Sequence, residues 1–241
     1  MKVFEEGGNQ TSFASGEAEL QAFLGDKYDS GIDESELTRQ WSAAPRRSRE
    51  EVEEFYRSAD AYLYDLTRWH ASHRFPYADV VWDFARRFRF KHLLEFGCGI
   101  GTDGLKLIQR GFDVSFYDFR NPSTEYLKWR LEQRSLKSRI YYAGEDDLPD
   151  NDLTFAIDVI EHVLDPAKVL AEIARRTKAV VCHLPLTLQQ YKYPMHFDLN
   201  RRALRSVLRK AGFQRVWDFS LIRYRWGLLL FWEAPEFWLK E

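Results

Sequence analysis

Cysteine is scarce: the 241 residues contain two, Cys98 and Cys182. They stand far apart and make none of the paired spacings that hold zinc, so neither a disulfide framework nor a cysteine metal site organises this chain. Each lies in an apolar stretch, where a buried free thiol is expected. No apolar run reaches the roughly 18 residues of a membrane span. The opening MKVFEEGGNQTSFASG lacks the basic block and apolar block of a secretory leader. Neither charge is in excess: 35 Lys and Arg against 37 Asp and Glu leave a net charge of −2, so composition does not ask for nucleic acid as a partner. There is no internal repeat and no long low-complexity tract. A soluble, cytoplasmic protein with one large domain and a real core is the expectation.

What is present is a rhythm. Residues 1–50 are polar, uneven in pattern and end in the basic cluster PRRSR, which reads as a short helical or partly mobile arm. Residues 51–90 turn helical. Ser48 is placed to cap, and Glu51 follows three residues on, as in a capping box. A second helix, YADVVWDFARRF, follows Pro76. Residues 91–241 then alternate. HLLEF, DVSFYDF, RIYYAG, LTFAIDVI and AVVCHLPL are strands; the segments between and after them carry helical spacing, two of them closed by Gly111 and Gly212. Such alternation predicts a parallel sheet covered on both faces. The closing pair, FQRVWDFSLI and WGLLLFWEA, has too short a connection for a crossover helix, so the last strand is expected to be antiparallel.

Four glycines fall within eight positions of HLLEFGCGIGTDGLKL, residues 92–107. A strand running through glycines into a helix offers backbone N–H groups and a positive dipole end to a ligand. Counted from Gly99, GIGTDG fits the dinucleotide pattern G-x-G-x-x-G. Asp118 lies about twenty residues on, where a ribose-binding acid belongs. Counted from Glu95, EFGCGIG fits E-x-G-x-G-x-G. A carboxylate at Glu95 suits an ammonium group and gives a pyrophosphate nothing, whereas Asp118 suits a ribose in either count.

The second count resembles the glycine-rich loop of class I S-adenosylmethionine-dependent methyltransferases. LTFAIDVIEHVLDPAKVL resembles the fourth strand and loop of that superfamily, and AGFQRVWDF…WGLLLFWEA its last helix and strand pair. The resemblance spans roughly residues 50–235 and lies nearest the small-molecule branch that includes ubiquinone-biosynthesis O-methyltransferases. It implies an α/β fold: a Rossmann-like, doubly wound, seven-stranded sheet with an antiparallel last strand, plus an N-terminal helical cap over cofactor and substrate. It also implies S-adenosylmethionine as cofactor, S-adenosylhomocysteine as product, and methyl transfer to an oxygen or nitrogen of a small molecule. Nucleic acid is not an expected partner, and the oligomeric state stays open. An NAD(P)-dependent oxidoreductase, and a catalytically silent module keeping the cofactor fold, are the alternatives; the first lacks a Tyr-x-x-x-Lys pair.

The implied cofactor site comprises Glu95, Gly97, Gly99, Gly101, Asp118 and Phe119, with Asp158 lining the pocket or capping a turn. Where relatives carry an adenine-binding Asp after the third strand, this chain has Gly144 and Glu145, so Glu145 or Asp146 is expected to take that contact. Methyl transfer is an in-line displacement that depends on alignment and exclusion of water. A hydroxyl acceptor must also lose a proton, for which a histidine is suited. His162, His196 and His73 are the candidates. His70 and His73 stand three apart but lack a third ligand, so no metal is expected. Tyr56 lies on the covering helix, within reach of the cofactor carboxylate. The basic helix NRRALRSVLRK reads as a solvated face.

Overall fold

The computed structural model describes residues 16–72, 76–185, 195–216 and 235–241. Five strands, β1 (His92–Phe96), β2 (Asp113–Asp118), β3 (Ile140–Tyr142), β4 (Asn151–Ala156) and β5 (Thr177–Cys182), run parallel. Two more, β6 (Phe213–Arg215) and β7 (Glu236–Lys240), complete a seven-stranded sheet in the order β3-β2-β1-β4-β5-β7-β6, with β7 antiparallel to both neighbours. The chain folds as the doubly wound sheet with a reversed last strand that its alternation predicts. The position of that strand differs, however: the stretch pairing with β5 and β6 is EFWLK. The expected WGLLLFWEA, residues 226–234, lies outside the described residues, as does the end of FQRVWDFSLI beyond Val216.

The period of two along each strand divides the core. Leu93, Leu153, Val181 and Phe237 face one hydrophobic cluster, built with α5 (Tyr77–Phe88), α6 (Thr102–Gln109) and α7 (Pro122–Gln133). Leu94, Val180, Cys182 and Trp238 face the other, built with α8 (Pro166–Arg176) and α9 (Arg201–Lys210). Both faces are buried, which explains why Leu93 and Leu94, Phe155 and Ala156, and the end of β5 from Ala179 to Cys182 are consecutive apolar residues. Helix ends follow local chemistry. Asn121 accepts from the Thr124 N–H at 2.9 Å while Thr124 Oγ1 accepts from the Asn121 N–H at 3.1 Å, a full capping box ahead of Pro122. Gly111 and Gly212, at φ +90° and +87°, close α6 and α9 as expected.

Ahead of the sheet lie α1 (Gly16–Leu24), α2 (Glu34–Ala43), α3 (Arg49–Ser58) and α4 (Asp60–Ser72). Ser48 caps α3 by accepting from the Glu51 N–H, but the Glu51 carboxylate accepts from the Arg47 N–H, one residue short of a reciprocal box. The part of the arm that is described is docked: Leu20, Leu37 and Trp41 are buried. Glu19 of α1 pairs with Arg130 of α7 and with Arg134 just after it, tying this layer to the body. The helix NRRALRSVLRK is less solvated than its composition implies. Arg201 and Arg205, with Arg215 of β6, converge on the carboxylate of Glu236, which is 1% exposed.

Candidate active site

The glycine loop sits at the carboxyl end of β1, where open α/β sheets place ligands. Gly97, Gly99 and Gly101 are all left-handed, at φ +66°, +49° and +68°. A Cβ at Gly101 would come within 2.3 Å of Leu127, and one at Gly97 within 2.5 Å of Val159. The loop therefore requires glycine on conformation and space alike. Gly104, which the E-x-G-x-G-x-G pattern leaves unexplained, has its own reason: a Cβ there would lie 2.4 Å from both Glu95 Oε2 and Phe116. Its N–H donates to Glu95 Oε2 at 2.9 Å, so the buried Glu95 carboxylate binds the first turn of α6.

Asp118 closes β2 and turns back on the loop. Its Oδ2 accepts from the Gly99 N–H and its Oδ1 from the Phe119 N–H, each at 2.7 Å. Burial pushes its carboxyl up to about 6, against the pull of those two donors and of Arg57. Next to it, the Arg57 guanidinium of α3 lies 4.1 Å over the Phe119 ring and reaches the Ala143 carbonyl at 3.5 Å. Of the carboxylates after β3, Glu145 turns to the segment after β2 and Asp146 to its own loop. Glu145 is exposed and bound by two nitrogens of Arg120, at 2.9 and 2.7 Å, while Asp146 accepts from the Tyr142 N–H at 2.9 Å.

Across from the glycine loop, the ends of β4 and β5 bring polar groups together. Asp158 has φ +55°, a conformation that non-glycine residues seldom adopt and that collects at functional sites. It accepts from His183 Nδ1 at 2.8 Å. Glu161, on a short 3-10 turn at Ile160–His162, is 1% exposed, with Oε1 3.7 Å from the same nitrogen. The Phe197 N–H donates to the Glu161 carbonyl at 2.7 Å, carrying His196 alongside, and the rings of His162 and His196 stand perpendicular, 4.6 Å apart. Burial first, then His196, holds the His162 imidazole down to about 3; burial holds His196 down to about 4. Both rings are neutral at physiological pH. His162 Nδ1 lies 3.0 Å from the Tyr56 hydroxyl of α3, so Tyr56 meets a histidine of the cluster. Tyr62 of α4 joins the two halves: burial and then the carboxylates of Asp118, Asp65, Glu161 and Asp158 push its phenol up.

Asp158, His162 and His196, drawn from sequence, thus meet in one cluster, and Glu95, the three glycines, Asp118 and Phe119 in another. His73 lies outside the described residues. His70 Nδ1 lies 2.8 Å from Thr102 Oγ1 at the start of α6. Both thiols are buried and free. Sequence reasoning missed His183. The available signal was a histidine ending an apolar parallel strand, the place where such sheets expose functional groups.

The family described as "Methyltransferase domain" matches residues 68–217. Among solved structures, a S-adenosylmethionine-dependent methyltransferase from Clostridium acetobutylicum is similar at 11% identity and TM-score 0.56, over 75% of this chain and 96% of that one. A magnesium protoporphyrin IX methyltransferase from Synechocystis, with S-adenosylhomocysteine bound, is similar at 13% identity and TM-score 0.55, over 92% and 100%. The [4+2]-cyclase SpnF is similar at 15% identity and TM-score 0.51, over 68% and 80%. At these identities the likeness is one of fold. No curated protein matches the chain. The antiparallel β7 between β5 and β6 also departs from the strand order 3-2-1-4-5-6 of dinucleotide-binding domains, which removes the GIGTDG reading. The chain belongs to the methyltransferase-domain family.

Proposed function

We propose that the protein transfers the methyl group of S-adenosylmethionine to a hydroxyl oxygen of a small molecule. The observation that supports this best is the pairing of two half-sites under one cap. Asp118 is clamped to the Gly99 N–H on one side, and a cluster of two carboxylates and three histidines lies on the other. In this reading Asp118 takes the ribose diol, the left-handed loop at residues 97–101 accommodates the amino-acid portion, and Phe119 packs beside the adenine. Glu95 acts through α6, by holding Gly104, and Glu145 and Asp146 shape the loop after β3. An oxygen acceptor fits because a hydroxyl must shed a proton as it attacks, and the cluster of Asp158, Glu161, His162, His183 and His196 is a place to receive one. The O–CH3 bond forms as the C–S bond breaks, and the electron pair stays on sulfur. Tyr56, Arg57 and Tyr62 of the cap exclude water, which favours neutralisation of the sulfonium.

Calorimetry with S-adenosylhomocysteine, NAD and NADP tests the cofactor. Binding of the first alone is expected, and Asp118→Ala should weaken it by about 10- to 100-fold, the loss of charge-assisted hydrogen bonds worth roughly 1.5–3 kcal/mol. Comparable binding of NAD would remove the proposal. Labelled methyl transfer to a panel of hydroxylated and amine metabolites then tests the acceptor; labelling of amines alone would refute the oxygen.

A further inference from the structure

We propose that Glu161, His162 and His196 form a site for one divalent transition-metal ion, beside the reacting centre. A carboxylate oxygen and one ring nitrogen of each histidine lie within 4.8 Å of one another. Three features set this apart from a chance meeting of polar groups. The ligands come from two separate segments held in register by the Phe197 N–H on the Glu161 carbonyl, at 2.7 Å. His162 is oriented by the Tyr56 hydroxyl at 3.0 Å, the kind of outer contact that fixes a ligating ring. And a second group, Asp158 with His183, shares Glu161. The 2.8 Å hydrogen bond between Asp158 and His183 accounts for their own proximity, so they are the supporting shell, with His183 Nδ1 3.7 Å from Glu161 Oε1.

The donor set names the class of ion. Two imidazole nitrogens and one carboxylate suit manganese, cobalt or zinc; magnesium and calcium favour oxygen ligands throughout. Three protein ligands leave open positions. The chemical role rests on the hydroxyl reading above. A hydroxyl bound at an open position is acidified by the ion. Its proton passes to the Asp158 and His183 pair, the members of the cluster that do not ligate the ion, the O–CH3 bond forms, and the C–S bond breaks with its electron pair on sulfur. No oxidant or reductant is needed.

Untagged protein, stripped with chelator, would be titrated with Co2+ while visible absorption and calorimetry are recorded, with Mg2+ in a parallel titration. One Co2+ per chain is expected, with visible d–d absorption and affinity at least tenfold above that of Mg2+. His196→Ala should lower the Co2+ affinity tenfold or more, while His92→Gln, an exposed histidine on β1, leaves it unchanged. Glu161 is buried, so Glu161→Gln is read only where circular dichroism is native. Absence of Co2+ absorption in the wild type, or equal affinity in His196→Ala, overturns the site. Equal binding of Mg2+ overturns the class of ion. S-adenosylhomocysteine binding, measured on the same samples, separates the two proposals: its persistence without Co2+ binding refutes the metal site alone, and its absence with Co2+ binding refutes the cofactor reading alone.

Discussion

Asp118 shows how one residue carries opposing demands. Burial raises its carboxyl to about 6, above the unfolded value of 3.8. The folded chain therefore binds the extra proton between those values, and this group's contribution to stability falls as pH rises from about 4 to about 6. Ligand binding runs the other way, because a ribose diol donates to the ionised form. The dissociation constant of S-adenosylhomocysteine should rise by up to about tenfold per unit as pH drops below about 6, and be flat above it. Calorimetry across that range checks this, and a flat profile throughout would remove Asp118 from the ribose. Gly104 is a second single-residue case. Ala at a helical position gains about 1 kcal/mol over Gly, yet a Cβ here would press on Glu95 and Phe116 at 2.4 Å. Overpacking of buried neighbours costs about 1–3 kcal/mol, so Gly104→Ala should destabilise by up to about 2 kcal/mol net. A raised urea midpoint would contradict it. The spacing of the loop glycines was legible in the sequence because each answers to a local backbone need. The purpose of Gly104 was not, because Phe116 arrives from the next strand.

Among the elements, the cap decides access. Trp41 of α2 is buried against Phe55 at 4.9 Å and Phe197 at 6.3 Å, centroid to centroid, so it joins the first described helices to the segment that bears His196. Trp41→Ala should cost about 3–5 kcal/mol by equilibrium unfolding. A loss under about 1 kcal/mol would show that α2 is not docked as described. Sequence patterning placed α3, α5 and the alternating elements well, because amphipathic spacing and caps are local signals. It undervalued residues 16–43, whose few apolar positions are matched to partners far along the chain.

At the scale of the molecule, the reversed β7 sits between β5 and β6 and buries Glu236 among Arg201, Arg205 and Arg215. Glu236→Gln keeps the shape but leaves three guanidinium groups without their shared carboxylate. The arginines are about a quarter exposed, so solvent screens part of the loss, and about 1–3 kcal/mol of destabilisation is expected in a thermal or urea melt. An unchanged melt would show the cluster to be electrostatically idle. The fold itself does not dictate the reaction, since a [4+2]-cyclase is similar to this chain at TM-score 0.51.

Read alone, the amino-acid order determined the sheet, its reversed end, the loop at residues 97–101 and the acid at 118. Strand period, glycine conformation and the length of one crossover unit act within about 25 residues of each other, so order along the chain is enough to express them. The tertiary structure alone decided that Asp158, Glu161, His162, His183 and His196 meet, that Glu95 serves α6, and that Arg57 lies on Phe119. These groups come from different strands, turns and helices, and only the packing of the helices over the carboxyl ends of the central strands brings them together.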